Sequence, residues 1–142
     1  ELQAVVRRDD NFSLAHFFLG QCHERLGHGD RSLSSLRRAT ELSGESAETL
    51  AGFAHALSRF GQETEAESFL ERLEERVSRT FVSPALLAQI LLGLGRTEEA
   101  MDRLEEAEAL RAADLIWLPV RPAYDPLRET ARFTALQARL GL

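Results

Sequence analysis

Two arginines at matching positions are the first candidates for molecular recognition in this sequence. Arg25 and Arg59 lie 34 residues apart, and each stands two residues before a glycine. Guanidinium groups bind carboxylates through paired N–H donors, so two neighbouring guanidiniums can hold the carboxylate of a peptide. The alternative is that each arginine pairs with a nearby glutamate, as surface arginines usually do.

A second group of side chains, close together in the sequence, has the atom types of a metal site. It comprises His16, Cys22, His23 and His28. Their spacing does not match a zinc module, so we interpret them as structural. The sequence lacks the GxSxG motif of nucleophilic catalysis, the GxGxxG motif of phosphate binding and the HExxH motif of zinc proteases. The sequence therefore predicts no enzyme activity, no catalytic residue, no metal and no cofactor.

The composition narrows the class of protein. The 142 residues include 43 Leu and Ala but only seven Val and Ile, which favours helices over strands. The net charge of -6 argues against a nucleic-acid partner. The longest apolar stretch, Ala85–Leu94, is too short to span a membrane. The single cysteine favours a reducing compartment, so we expect a cytoplasmic location.

An internal repeat is the main structural signal. A large apolar residue precedes glycine at Leu26–Gly27, Phe60–Gly61 and Leu94–Gly95, with a spacing of 34 residues. Repeats of this length are typical of stacked helix pairs. Two series of small residues recur in the same register, namely Gly20, Ala54 and Ala88, and Ser32, Ala66 and Ala100.

The period defines three units, 13–46, 47–80 and 81–114, each predicted to contain two helices. We expect a left-handed cap at Gly27, where a Cβ atom would be strained. The small residues are predicted to lie where the two helices of a unit cross, because small side chains let helix axes approach closely.

Several local features are predicted within the units. Asp30 and Thr97 are expected to cap second helices, and Ser83 is expected to cap the helix that begins at Pro84. The acidic stretch Glu98–Glu108 is expected to face water, because charge runs on a helix are usually solvated.

The ends of the chain extend this pattern. Residues 1–12 are predicted to be the second helix of a truncated earlier unit. We expect the chain to be a piece of a longer protein or a processed product. Residues 115–142 are predicted to cap the open apolar face of the last unit. We expect a short helix over Leu115–Leu118, a helix start at Asp125–Pro126, and a closing helix over Arg128–Leu140.

The 34-residue period, with its small, Leu-Gly and Ala landmarks in this order, resembles the tetratricopeptide repeat (TPR) over residues 13–114. The resemblance implies an all-α fold, a right-handed superhelix of antiparallel helix pairs with a C-terminal capping helix, forming a single domain over residues 1–142. The sequence departs from the family pattern at the usual early tryptophan, where it has His16, Leu50 and Pro84.

The C-terminal run Val120–Arg128, followed by Arg132–Phe133, is similar to the end of many bacterial repeat proteins. In those proteins, the repeats often form the C-terminal part of a larger signalling enzyme or transcription regulator. The resemblance therefore implies, as an alternative function, the regulatory tail of such a protein. A further alternative is an oligomerisation element, in which Leu2 and Val5 of the N-terminal helix contact a second copy.

The leading hypothesis is a scaffold that binds a protein or peptide of unknown identity. In the TPR family the first helix of each unit lines a concave groove. The family's clamp for chaperone tails is not expected, because Phe17 and Ala51 occupy two of its Lys and Asn positions. Phe17 is predicted to be the apolar anchor for the ligand. The predicted groove residues are Phe17, Gln21, Arg25, His55, Arg59 and Gln89.

Overall fold

The structure, a computed structural model, describes residues 12–142. Over these residues the chain consists of helices joined by turns, without a β-strand, which confirms the predicted all-α class. The predictions made for residues 1–11, including the contact between copies, lie outside the described residues. The helices are α1 (Ser13–Arg25), α2 (Gly29–Leu42), α3 (Ala47–Arg59), α4 (Glu63–Val77), α5 (Pro84–Gly93), α6 (Thr97–Ala109) and α7 (Ala131–Leu140), with short 3₁₀ segments at Ala113–Trp117 and Pro122–Leu127.

Each of the first three helix pairs is joined by a three-residue turn with glycine in the middle. Gly27, Gly61 and Gly95 have φ angles of +76°, +83° and +76°. In each turn the residue after glycine donates its N–H to the carbonyl oxygen five residues earlier, at 2.9, 2.7 and 2.9 Å. This bond is typical of the Schellman motif. The left-handed cap predicted at Gly27 is confirmed, and it recurs with the 34-residue period.

The helices of the first pair approach each other closely at Gly20. A Cβ atom built on Gly20 would lie 2.5 Å from Cγ of Leu36, far inside van der Waals contact. The hydroxyl of Ser32 on α2 donates to the carbonyl oxygen of Gly20 at 2.8 Å. A side chain at this position would clash with Leu36, in agreement with the small residue that the sequence predicts at the crossing. The corresponding small residues of the other two pairs have no exposed surface: Ala54, Ala66, Ala88 and Ala100.

The first helices of the three pairs lie in a row. Helix α3 contacts both α1 and α5, and α5 contacts the 3₁₀ segment Pro122–Leu127. Helix α2 contacts α3, and α4 contacts α5, so each pair packs against the next one. The apolar core follows these contacts. Its largest fully buried side chains include Leu36, Leu50, Phe53, Leu57, Leu73, Leu87, Ile90, Met101, Leu104, Leu118, Tyr124 and Phe133.

Two of the predicted helix caps are wrong. Asp30 lies within α2, which begins at Gly29, and Thr97 is the first residue of α6. The glycine turn explains both errors. The residue after the turn glycine, His28 in the first pair, already accepts the N–H of Ser32 at 2.9 Å. The turn therefore leads directly into the helix and leaves no extended position for a capping side chain.

The closing helix begins later than predicted. The expected range was Arg128–Leu140, whereas α7 begins at Ala131. The hydroxyl of Thr130 accepts the N–H of Phe133 at 3.3 Å and so caps the helix. Ser83, by contrast, caps α5 as predicted, because its hydroxyl accepts a backbone N–H from the first turn of that helix.

Arg128 holds the connection before α7 instead of starting the helix. Its guanidinium donates to the carbonyl oxygens of Leu118 and Arg121 at 2.7 and 2.8 Å. Asp125–Pro126 lies inside a 3₁₀ segment instead of beginning an α-helix. The predicted short helix over Leu115–Leu118 is present as a 3₁₀ helix, which begins at Ala113 and ends at Trp117.

The acidic stretch of α6, predicted to face water, is in part the surface on which α7 docks. Nε of Arg139 lies 2.9 Å from a carboxylate oxygen of Glu108. Hydrogen bonds from Arg132 and Arg139 hold the pKa values of Glu105 and Glu108 below the ordinary range. Arg132 contacts three carboxylates of α6: Glu98 at 3.1 Å, Asp102 at 2.6 Å and Glu105 at 2.6 Å.

The helix crossing in the second pair gives a first testable prediction. Replacing the fully buried Ala66 with Leu should lower the free energy of unfolding by about 1–3 kcal/mol, because the larger side chain forces α3 and α4 apart. Urea denaturation followed by circular dichroism measures this change. Glu67→Leu, at the adjacent exposed position, is the matched control. Equal stability of the Ala66→Leu variant and the wild type would contradict the close crossing.

The arginine contacts between α6 and α7 predict a dependence of stability on pH. Because the folded-state pKa of Glu105 is lowered, its stabilising contribution is fully present above the ordinary glutamate pKa of about 4.3. This contribution is lost as the pH falls through the lowered value. In Arg132→Met, the thermal midpoint should be lower at pH 7 and should fall less between pH 7 and acid pH. A pH profile parallel to that of the wild type would contradict this interpretation.

Candidate binding groove

A cavity of about 1100 Å³ lies along the row of first helices. Helix α1 forms one wall and α3 forms the floor. The C-terminal segment, residues 117–125, forms the opposite wall. The lining residues are, from α1 and the residue before it, Phe12, Ser13, Leu14, Phe17, Phe18, Gln21, Cys22, Glu24 and Arg25; from the next turn, α3 and α5, Ser43, Ser46, Glu48, Thr49, Gly52, His55, Arg59 and Gln89; and from the C-terminal segment, Trp117, Val120, Arg121, Pro122, Ala123 and Asp125.

The six groove residues predicted from the sequence all line this one cavity. The 34-residue register brings them together, because equivalent positions on neighbouring helices in a row face the same side. Their environments differ, however, and only some of them present free groups to the cavity. They are Phe17, Gln21, Arg25, His55, Arg59 and Gln89.

Phe17 is a packing residue of the wall and presents little surface to a ligand. Its side chain is only 4% exposed. A Cβ atom built on Gly52 would lie 2.9 Å from Cζ of Phe17, so the ring packs directly on the backbone of α3. The neighbouring Phe18, stacked on Phe17 with ring centroids 5.8 Å apart, is 46% exposed. The apolar surface available on this wall therefore belongs to Phe18 and to Leu14, which is also exposed.

The opposite wall was not predicted from the sequence. Trp117 is 46% exposed, and Val120 is also exposed. The guanidinium of Arg121 lies 5.9 Å from the centroid of the Trp117 ring and 2.9 Å from a carboxylate oxygen of Glu48 on α3. This ion pair joins the C-terminal segment to the floor. The only sequence signal for this wall was a run of large apolar residues outside the repeat. The 34-residue period does not specify where that run lies relative to α1.

Two polar residues on α3 hold the end of α1. The Nδ1–H of His55 donates to the carboxylate of Glu24 at 2.7 Å, and Glu24 itself is buried. The guanidinium of Arg59 donates to the backbone carbonyl oxygen of Glu24 and lies 5.5 Å from the centroid of the Phe60 ring. His55 and Arg59 thus fix the position of α1 relative to α3. The polar partner of Arg59 is a carbonyl oxygen, and not the glutamate carboxylate that the alternative interpretation expected.

Gln89 is also engaged within the protein. It is buried, and its Nε2–H donates to the hydroxyl oxygen of Tyr124 at 3.3 Å. The hydroxyl of Tyr124 in turn donates to the carbonyl oxygen of Ala85 at 3.4 Å. Burial raises the pKa of Tyr124 to about 12. Gln89 therefore ties α5 to the C-terminal segment, and one of its amide donors is used.

Arg25 is the charged group of the groove that the protein leaves without a partner. It is exposed and makes no hydrogen bond or ion pair to any residue from 12 to 142. Gln21, one turn earlier on α1, is half-buried and likewise has no hydrogen-bond partner among these residues. Arg59 donates to the carbonyl oxygen of Glu24, which is the residue before Arg25 on α1. The guanidinium of Arg59 therefore lies beside the part of α1 that carries Arg25.

Two members of the histidine and cysteine group lie close together. Nδ1 of His23 lies 3.4 Å from Nδ1 of His28, and burial together with the charges of His28 and Arg31 lowers the pKa of His23. Cys22 is exposed in the groove. In the part of the chain that the structure describes, no three His, Cys, Asp or Glu side chains come together as ligands. No helix between residues 12 and 142 is long and apolar enough to cross a membrane.

The comparisons with known proteins do not assign a family. The chain matches no protein-family model, and no curated protein or solved structure is significantly similar to it. The groove offers apolar surface on two walls, a polar floor whose groups are mostly paired, and, at one end, two guanidiniums without a carboxylate partner.

Tyr124 gives a direct test of how the C-terminal segment is seated. It is the only tyrosine in the chain, so absorbance at 295 nm reports its ionisation alone. We expect a titration midpoint near 12 in the folded protein and near 10 in urea. Because the folded-state pKa is raised, the contribution to stability is present below about pH 10 and is lost as the pH rises towards 12. A midpoint near 10 in the folded protein would contradict the burial of Tyr124.

Proposed function

We propose that this chain is a TPR-like helical-repeat module that binds a segment of another protein in its groove. The proposal includes the right-handed superhelical arrangement of antiparallel pairs that the sequence resemblance implies. Three glycine turns of the same type and small residues at equivalent positions support the repeat interpretation.

The observation that carries the proposal is the open apolar groove itself. Phe18 and Leu14 on one wall and Trp117 and Val120 on the other are exposed, although each of them is large and apolar. Scattered exposed apolar residues are normal on protein surfaces, but apolar residues on facing walls of one cavity mark a binding site. A cavity of about 1100 Å³ is slightly larger than the usual range for small-molecule sites, about 300–1,000 Å³, and it suits a peptide segment.

Peptide selection tests this proposal. A displayed library of random peptides is selected for binding to the protein. The affinity of each selected peptide is then measured from the fluorescence of Trp117. This residue is the only tryptophan and lies in the groove wall, so its emission should shift to shorter wavelength when a ligand covers it. We expect Phe18→Asp to weaken binding about tenfold or more, as removal of a central apolar contact does.

Phe81→Asp is the matched control. Phe81 is 70% exposed and does not line the groove, so its substitution should leave binding unchanged. Circular dichroism spectra and thermal midpoints establish that both variants fold. Peptides that bind Phe18→Asp as tightly as the wild type, with no change in Trp117 emission, would refute the groove as the binding site.

A further inference from the structure

We propose that the occupant of the groove is an acidic, apolar segment of a partner protein. Its apolar side chains lie between Phe18 and Trp117, and side-chain carboxylates of Asp or Glu contact Arg25 and Arg59. The inference rests on the proposed function. It adds the chemical character of the ligand and the end of the groove at which its carboxylates bind.

Two arginines of the groove have no carboxylate partner. Arg25 has no hydrogen-bond or ion-pair partner among the described residues, and Arg59 donates to a carbonyl oxygen. The acidic side chains that line the cavity are already engaged by other residues of the protein. The groove therefore presents two guanidiniums that can still bind a carboxylate, in a chain of net charge -6. The acidic residues and their partners are Glu24 with His55, Glu48 with Arg121, and Asp125 with Arg128.

The position of these charges gives the groove a direction. Arg25 and Arg59 stand in the last turns of α1 and α3, and the bond from Arg59 to Glu24 places both at the same end. A cation in the last helical turn is favourable for the helix dipole, but the dipole does not require it to line a cavity. The opposite end of the groove is lined by Leu14 and Ser46.

The spacing along α1 sets the pattern of the ligand. Phe18 precedes Arg25 by seven residues, which is about 10 Å along a helix axis. A carboxylate of the ligand should therefore lie about 10 Å from its apolar anchor. Both Arg25 and Arg59 are exposed, so a peptide chain can continue past this end of the groove. The two arginines can therefore bind side-chain carboxylates in the middle of a peptide, and the peptide need not end there.

The test uses the selected peptides in their acidic and neutral forms. Replacing the acidic residues of a peptide with Asn or Gln should weaken binding to the wild type about tenfold, equivalent to about 1.4 kcal/mol. The same change should have little effect on binding to the Arg25→Gln/Arg59→Gln double variant, because the interacting partner is already gone. Salt should weaken binding to the wild type more than binding to this variant.

Charge reversal provides a second measurement with a matched control. Arg25→Glu should weaken binding of the acidic peptides and strengthen binding of peptides whose acidic residues are replaced by Lys. Arg111→Glu changes an exposed arginine outside the groove that also has no ion-pair partner among the described residues, and it should leave both affinities unchanged. Thermal midpoints show that each variant remains folded.

The outcomes separate this inference from the proposed function. Peptides that lose affinity for Phe18→Asp but bind Arg25→Glu as tightly as the wild type would overturn the acidic ligand and retain the groove. Peptides unaffected by Phe18→Asp would overturn both. Loss of binding on amidation of the peptide C-terminus, with no effect of the Asp and Glu substitutions, would assign the arginines to a chain terminus and overturn the side-chain contact. Self-association of the protein that Phe18→Asp abolishes would identify a second copy as the occupant and overturn the partner segment.

Discussion

The short distance between the two helices of a pair is the constraint on which the rest of the structure depends. At Gly20 the backbone of α1 lies so close to Leu36 of α2 that no side chain fits between them. Helices at this distance share one apolar seam, and the left-handed turn at Gly27 reverses the chain within three residues. The same turn and the same small positions recur in the next two pairs. Each pair can then pack on its neighbour with its first helix in the common row.

The C-terminal segment completes both the fold and the groove. Tyr124, Phe133 and Leu136 are buried and cover the end of the last pair, which otherwise would expose an apolar face. The arginines of α7 fasten it to the acidic side of α6. The same segment places Trp117 opposite α1, so the element that caps the core also provides a wall of the cavity.

The polar residues of the groove fall into two groups with different roles. His55 on α3 donates a hydrogen bond to α1, and Gln89 on α5 donates one to the C-terminal segment. These bonds fix the positions of α1 and of the C-terminal segment. Arg25 is left without such a bond, and Phe18 keeps about half of its surface exposed. Rigid support beneath free groups is what a preorganised binding surface requires, because less conformational freedom is lost when a ligand arrives.

The sequence by itself determined the helical class, the left-handed turn at Gly27, the small residues at the crossings and six of the residues that line the cavity. All of these follow from local conformational preference or from a register of 34 residues, which a single chain displays directly. Only the tertiary structure decided which of two adjacent phenylalanines, Phe17 or Phe18, is exposed, because that depends on the fit of one ring against Gly52. It also decided that Gln89 is engaged by Tyr124 and that Trp117 lines the same cavity as α1. Tyr124 and Trp117 lie outside the repeat, so no periodic pattern in the sequence encodes where they sit.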